Sequence, residues 1–182
     1  MESRFKKKNP MVLVVDDDDT VFLSVQHFAK RSGLTVGFEY ASDAGEAVEK
    51  LNQKCFDAAL LDVCLPGVTG ISLGALVREH DVNIPLAYLT NLDSEAVRTE
   101  AITQRAFFLL KIDYFATDEG MEKLLKIINE MVLLNPCIDG GLRVDNHGYP
   151  RQLKQTPIEL PPVLDQLLQY SKTVKAAASA VA

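Results

Sequence analysis

Five side chains sit where they could carry phosphoryl chemistry. Asp62 closes the apolar run Ala58-Ala59-Leu60-Leu61, and Cys64-Leu65-Pro66-Gly67 turns the chain just after it. The run Met11 to Val15 ends in the acidic cluster Asp16-Asp17-Asp18-Asp19. Leu86 to Leu89 ends in Thr90, and Phe107 to Leu110 ends in Lys111. A carboxylate can attack a phosphoryl group and form an acyl phosphate. Charge on the transferring group must be neutralised, and a divalent cation does this well. Mg²⁺ takes hard oxygen ligands and keeps several waters, so clustered carboxylates suit it. A lysine adds a fixed positive charge, and a hydroxyl adds a directed hydrogen bond. In an open parallel α/β sheet, ligands bind beyond the carboxyl ends of the strands, at the switch point in strand order. If these four runs are neighbouring parallel strands, Asp16, Asp17, Asp62, Thr90 and Lys111 meet in one pocket.

The elements needed to position those groups are legible in the pattern. Strands are expected at Met11–Val15, Thr35–Tyr40, Ala58–Leu61, Ile84–Leu89 and Phe107–Leu110, all but the second buried-looking. Helices are expected over 20–32, 44–53, 70–80, 94–104 and 118–134. Val21, Val25, Phe28 and Ala29 have helical spacing, and Gly33 stops that helix. Ser42 or Asp43 can cap the next one. Strict alternation with short connections, closed by right-handed crossovers, argues for a doubly wound parallel sheet. The body should run from 11 to 134, behind a basic segment, 1–10.

Residues 135–182 differ in character. They hold five of the eight prolines and the turn signals Gly140-Gly141 and Asn146-His147-Gly148. A helix is expected at 163–175, with Val163, Leu164, Leu167, Leu168 and Val174 on one face. A 48-residue extension is near the lower limit for independent folding, so it should pack on the body or on a partner.

The whole chain of 182 residues is 47% hydrophobic with a net charge of −6. That excludes a mostly disordered chain and disfavours non-specific nucleic-acid binding by the whole surface. The extension carries five basic and four acidic groups; the first 134 residues carry 14 and 21. A near-neutral extension without a recognisable helix-turn-helix does not read as a DNA-binding module. Cys55, Cys64 and Cys137 have no metal-ligand spacing, and so few fit reduced thiols in a cytoplasmic protein. No apolar run approaches the ~18 residues of a membrane span. The basic start is followed by a strand and an acidic cluster and does not read as a signal peptide. His27, His80 and His147 are isolated and read as structural or surface residues.

Residues 11–134 resemble the receiver domain of bacterial two-component response regulators, with a flavodoxin-like fold of strand order 2-1-3-4-5. The resemblance rests on the Asp16-Asp17 pair, on Asp62 followed by Leu65-Pro66-Gly67, on Thr90 and on Lys111. It implies that Asp62 is the phosphoacceptor and that Asp17 and Asp62 bind Mg²⁺ directly. Asp16 would bind it directly or through water, and the backbone carbonyl of Cys64 would complete the protein ligands. Thr90 and Lys111 would hold the phosphoryl group, and Phe108 would be the switch aromatic. A sensor histidine kinase or phosphotransfer protein is the implied partner, with output through protein–protein contacts and dimerisation as one form of it. On that reading helix 163–174 would cover the face made by the fourth helix, fifth strand and fifth helix, and leave it on phosphorylation.

Four positions depart from the family pattern. Ile112 follows Lys111 where proline is usual, and a cis bond before a non-proline residue costs about 2.5–4 kcal/mol, so this bond should be trans. Asn91 replaces a small residue and would crowd the phosphoryl group. Cys64 and Leu92 replace polar side chains that orient hydrolytic water, which implies slow self-dephosphorylation. These departures keep open a receiver fold that acts without phosphorylation. The run Asp16 to Thr20 also fits a haloacid-dehalogenase-like phosphatase, with Asp16 as nucleophile and Asp18 as general acid, but leaves Asp62 without a role.

Overall fold

A computed structural model describes residues 9–134, 137–138, 142–144, 150–152 and 157–179. Five strands form one parallel sheet: β1 (Met11–Val15), β2 (Gly37–Ala41), β3 (Ala58–Leu61), β4 (Leu86–Thr90) and β5 (Phe107–Leu110). Their order is β2-β1-β3-β4-β5, the expected doubly wound order. The helices between them are α1 (Asp19–Ser32), α2 (Ala44–Gln53), α3 (Gly70–His80) and α4 (Glu95–Thr103). A short α5 (Lys111–Phe115) and the long α6 (Asp118–Leu134) follow β5.

Both faces of the sheet are covered, as parallel strands require. The side chains alternate along each strand. On one face Val12, Val14, Leu60 and Leu89 pack with Val25 of α1 and Leu124 and Ile128 of α6. On the other, Leu13, Leu61, Leu86 and Tyr88 pack with Ala47 of α2, Leu73 of α3 and Val97 of α4. β1, β3 and β4 are buried along nearly their whole length. β5 departs from the expectation of a fully buried run: it is an edge strand, and Phe107 is 43% exposed.

Helix starts fall just beyond the strand ends that carry the polar groups. Asp18 caps α1, Asp43 caps α2, Thr69 caps α3 and Ser94 caps α4, each accepting a hydrogen bond from a first-turn N–H. Asp43, not Ser42, is the cap of α2; Glu46 reaches back to accept from the Ser42 N–H. Gly33 ends α1 with φ at +73°, the left-handed conformation glycine adopts without steric cost. β4 starts two residues later and ends one residue later than expected, so Thr90 is its last residue rather than the one after it.

The extension departs more from its expectation. Cys137–Ile138 (β6), Leu142–Val144 (β7) and Pro150–Gln152 (β8) form a small antiparallel sheet that no sequence signal indicated. Helix α7 (Pro162–Ser179) begins at the expected proline. Its apolar residues do not share one buried face. Leu168 is 2% exposed and joins the core with Ile158, and Leu164 packs against it, whereas Val163, Leu167 and Val174 are exposed. The helix lies against α2 and the loop after β3, not on the face of α4, β5 and α6. Asn52 of α2 exchanges two hydrogen bonds with the Ile158 backbone, at 2.9 and 2.7 Å. Lys172 pairs with Asp43 at 3.0 Å.

Among the described residues no helix is long and apolar enough to cross a membrane. Cys64 is a free, exposed thiol, but Cys55 is disulfide-bonded, against the expectation of three reduced cysteines.

Candidate phosphoacceptor site

The strand register brings the polar ends together. Val15 pairs with Leu61, Leu61 with Tyr88, and Thr90 with Leu110. The ladder continues one residue further, with the Asp62 N–H donating to the Val15 carbonyl at 2.8 Å and the Asp16 N–H to that of Ala41 at 3.1 Å. Asp16, Asp62, Thr90 and Lys111 therefore leave the sheet at one edge, and all four are buried. Asp17 beside them is exposed.

Lys111 is the hinge of the arrangement. Its ammonium lies 2.7 Å from Asp16 Oδ2 and 2.8 Å from Asp62 Oδ2. The remaining oxygens are engaged too: Asp16 Oδ1 accepts from the Asp18 N–H and Asp62 Oδ1 from the Cys64 N–H, both at 3.1 Å. Burial pushes the Asp16 carboxyl above the usual carboxylate range, and Lys111 only partly offsets it. Burial also disfavours the charged form of Lys111, but the hydrogen bonds and charges of Asp16 and Asp62 outweigh it and hold the ammonium above its ordinary pKa.

Asp16, Asp17 and Asp62 each offer a carboxylate oxygen, and the three lie within 4.8 Å of one another. Among the described residues Lys111 alone pairs with these carboxylates, so the cluster of three retains net negative charge. Three convergent hard oxygens, one of them on an exposed residue where water can complete a shell, suit Mg²⁺ rather than a softer metal.

Thr90 is fully buried, and its hydroxyl accepts from the Leu92 N–H at 3.1 Å. Asn91 and Leu92 are exposed on the loop. Phe108 is half-buried, with the Arg98 guanidinium 4.5 Å above its ring. No cis peptide occurs among the described residues, so the bond between Lys111 and Ile112 is trans, as expected. Sequence reasoning missed that Lys111 opens a helical turn, α5, from which Ile112 points outward at 68% exposure. It also missed Gly70, where a Cβ would collide with the Asp62 carbonyl. The glycine lets α3 begin directly against the loop that carries Asp62.

One other reading loses ground here. Asp18 caps α1 by accepting from Thr20, and those hydrogen bonds hold its carboxyl below the usual range. With its side chain committed to the cap of α1, Asp18 is poorly placed to serve as the general acid of a dehalogenase-like phosphatase. His27 is exposed, and His80 has a buried Nδ1 with no partner, away from the carboxylates. His147 lies outside the described residues.

Known proteins agree with this architecture. Residues 12–128 match the response regulator receiver domain family. The chain is 31% identical over 168 residues to the transcriptional regulatory protein TrcR of Mycobacterium tuberculosis, covering 87% of this chain and 63% of that protein. It is 34% identical over 102 residues to the transcription factor SKN7 of Chaetomium thermophilum, covering 54% of this chain but only 13% of that one. Among solved structures, the chemotaxis protein CheY4 of Vibrio cholerae aligns with a TM-score of 0.57 at 27% identity, over 66% of this chain and 99% of its own. The chain spans less than two thirds of the length of either curated relative. On the family match across most of the sheet and its helices, the chain belongs to the response regulator receiver domains of two-component signal transduction.

Proposed function

We propose that this chain is a phosphorylation switch whose acceptor is Asp62. The observation that carries the reading is the Lys111 ammonium held between Asp16 and Asp62, with Asp17 alongside. An Asp62 carboxylate oxygen attacks phosphorus, a new P–O bond forms, and the bond from phosphorus to the donor breaks. The leaving atom keeps the electron pair and takes a proton from solvent. The chain acts as a signalling phosphoacceptor rather than as an enzyme with turnover.

Asp16, Asp17, Asp62 and the Cys64 backbone carbonyl would hold Mg²⁺, which when bound neutralises charge on the transferring group. Lys111, already at hydrogen-bond distance from Asp62, passes to a phosphoryl oxygen. Thr90 supplies a hydroxyl donor to the phosphoryl group, since accepting from the Leu92 N–H uses only a lone pair and leaves its O–H free to donate. An inward turn of Phe108 would break its stacking with Arg98, so that pair reads out the state of the site. The donor is a sensor histidine kinase or a phosphotransfer protein, met in the cytoplasm.

Output through protein contacts fits the extension's near-neutral charge. A transcriptional output is the second reading, because the similarity to TrcR spans 168 residues and so runs beyond the receiver match into the extension. Incubation with acetyl phosphate and Mg²⁺, followed by intact-mass spectrometry, tests the proposal. The mass should rise by one phosphoryl group, and EDTA should abolish the rise. Failure to gain it with Mg²⁺ bound would favour an interaction module that works without phosphorylation.

A further inference from the structure

We propose that α7 is an intramolecular clamp on the phosphoacceptor loop, released when Asp62 is phosphorylated; this rests on the phosphoacceptor reading above. The loop 63–69 is tied to the reacting carboxylate at its start, where the Cys64 N–H donates to Asp62 Oδ1. Its tip touches α7. Gly67 has φ at +77°, and a Cβ there would lie 2.8 Å from both the Leu167 carbonyl oxygen and Leu168 Cα. Backbone meets backbone at this point, so the contact cannot yield by rotating a flexible side chain.

Three anchors hold the helix in place: the reciprocal Asn52–Ile158 hydrogen bonds, the Lys172–Asp43 ion pair and the buried Leu168. Next to the loop contact, an open cleft of about 420 Å³ runs between Leu167, Tyr170 and Val174 on one side and Asp17, Pro66 and Gly67 on the other. The acceptor's mouth is thus bordered by the extension.

Both Asp62 oxygens already have partners, and its side chain is only 8% exposed. Bonding phosphorus to either oxygen displaces the Cys64 N–H or the lysine and adds three oxygens at the base of the loop. In this proposal the room comes from outward movement of the loop, which α7 opposes where it meets Gly67. A docked α7 therefore disfavours the phosphorylated state, and by reciprocity the phosphorylated state disfavours docking.

The test is hydrogen exchange of the backbone amides of residues 163–174 in the full chain, with and without acetyl phosphate and Mg²⁺. Phosphorylation should speed their exchange about fivefold or more, the lower end of typical couplings between sites. Lys172→Glu and Asn52→Ala, both outside the acceptor pocket, should speed exchange without a donor. They should also raise the fraction phosphorylated at limiting acetyl phosphate. A phosphorylated chain whose α7 amides exchange at the original rate overturns the clamp and leaves the acceptor reading standing. So do variants that loosen α7 with no gain in phosphorylation. No phosphoryl adduct on any form overturns both.

Discussion

Replacing Lys111 with methionine removes the one cation that, among the described residues, contacts Asp16 and Asp62, and keeps the length of the stem. The ammonium makes two contacts with charged partners, 2.7 Å to Asp16 and 2.8 Å to Asp62. Hydrogen bonds to charged groups contribute about 1.5–3 kcal/mol each, so the gross loss is about 3–6 kcal/mol. Relief of the lysine's own desolvation offsets part of this. The net expectation is a loss of about 2–4 kcal/mol, near the range for removing one partner of a buried ion pair. The chain has no tryptophan, so urea unfolding is followed by far-ultraviolet circular dichroism at pH 7 in EDTA. With a urea slope of about 2 kcal/mol per M, the midpoint should fall by about 1–2 M. Saturating Mg²⁺ should recover part of the loss, since the ion restores positive charge among the same oxygens. A midpoint shift under about 0.3 M in EDTA would refute the view that the lysine neutralises a strained acidic cluster.

Gly70→Ala places a Cβ 2.7 Å from the Asp62 carbonyl carbon; it should cost about 1–3 kcal/mol in thermal or urea unfolding and slow acetyl phosphate labelling, and normal labelling would count against the glycine's role. Tyr88, fully buried with its hydroxyl donating to Gln104, has a pKa pushed above its ordinary 10, first by burial and then by Glu100. Its contribution to stability is fully present below pH 10 and is lost as pH rises through the folded-state value. Tyr88→Phe should cost about 1 kcal/mol at neutral pH and flatten the alkaline fall in stability, which urea titrations on either side of pH 10 would read. Cys64 and Leu92 leave no polar side chain to orient hydrolytic water, so the acyl phosphate should persist for minutes or longer after donor removal; decay within seconds would contradict this.

The fold was legible because β1, β3, β4 and β5 are short apolar runs ended by a polar residue, and α1 to α4 each have a side-chain cap at their start. Asp18, Asp43, Thr69 and Ser94 all have short side chains whose oxygens can bond first-turn N–H groups. The site was legible because strand ends in a parallel sheet converge, so Asp16, Asp62, Thr90 and Lys111 needed only the strand order to meet. Periodicity could not say which side of α7 is buried, because Val163, Leu164, Leu167 and Leu168 are equally apolar and the choice belongs to the surface it meets. That surface is set by Gly67, Asn52 and Asp43, each distant in sequence. The three short strands of the extension carry little hydrophobic pattern of their own. The turn at Lys111–Phe115 was hidden for a related reason: without the usual proline, nothing local marks where β5 stops and helix begins.

The most direct test traps the phosphoryl group where it forms. The chain is incubated with acetyl phosphate and Mg²⁺, reduced with borohydride, digested and sequenced by mass spectrometry. Borohydride converts an aspartyl phosphate to homoserine, so homoserine at position 62, absent in Asp62→Asn, is the predicted result. Homoserine at position 16 or 17 instead, or labelling that survives Asp62→Asn, would contradict the assignment of Asp62 as the acceptor.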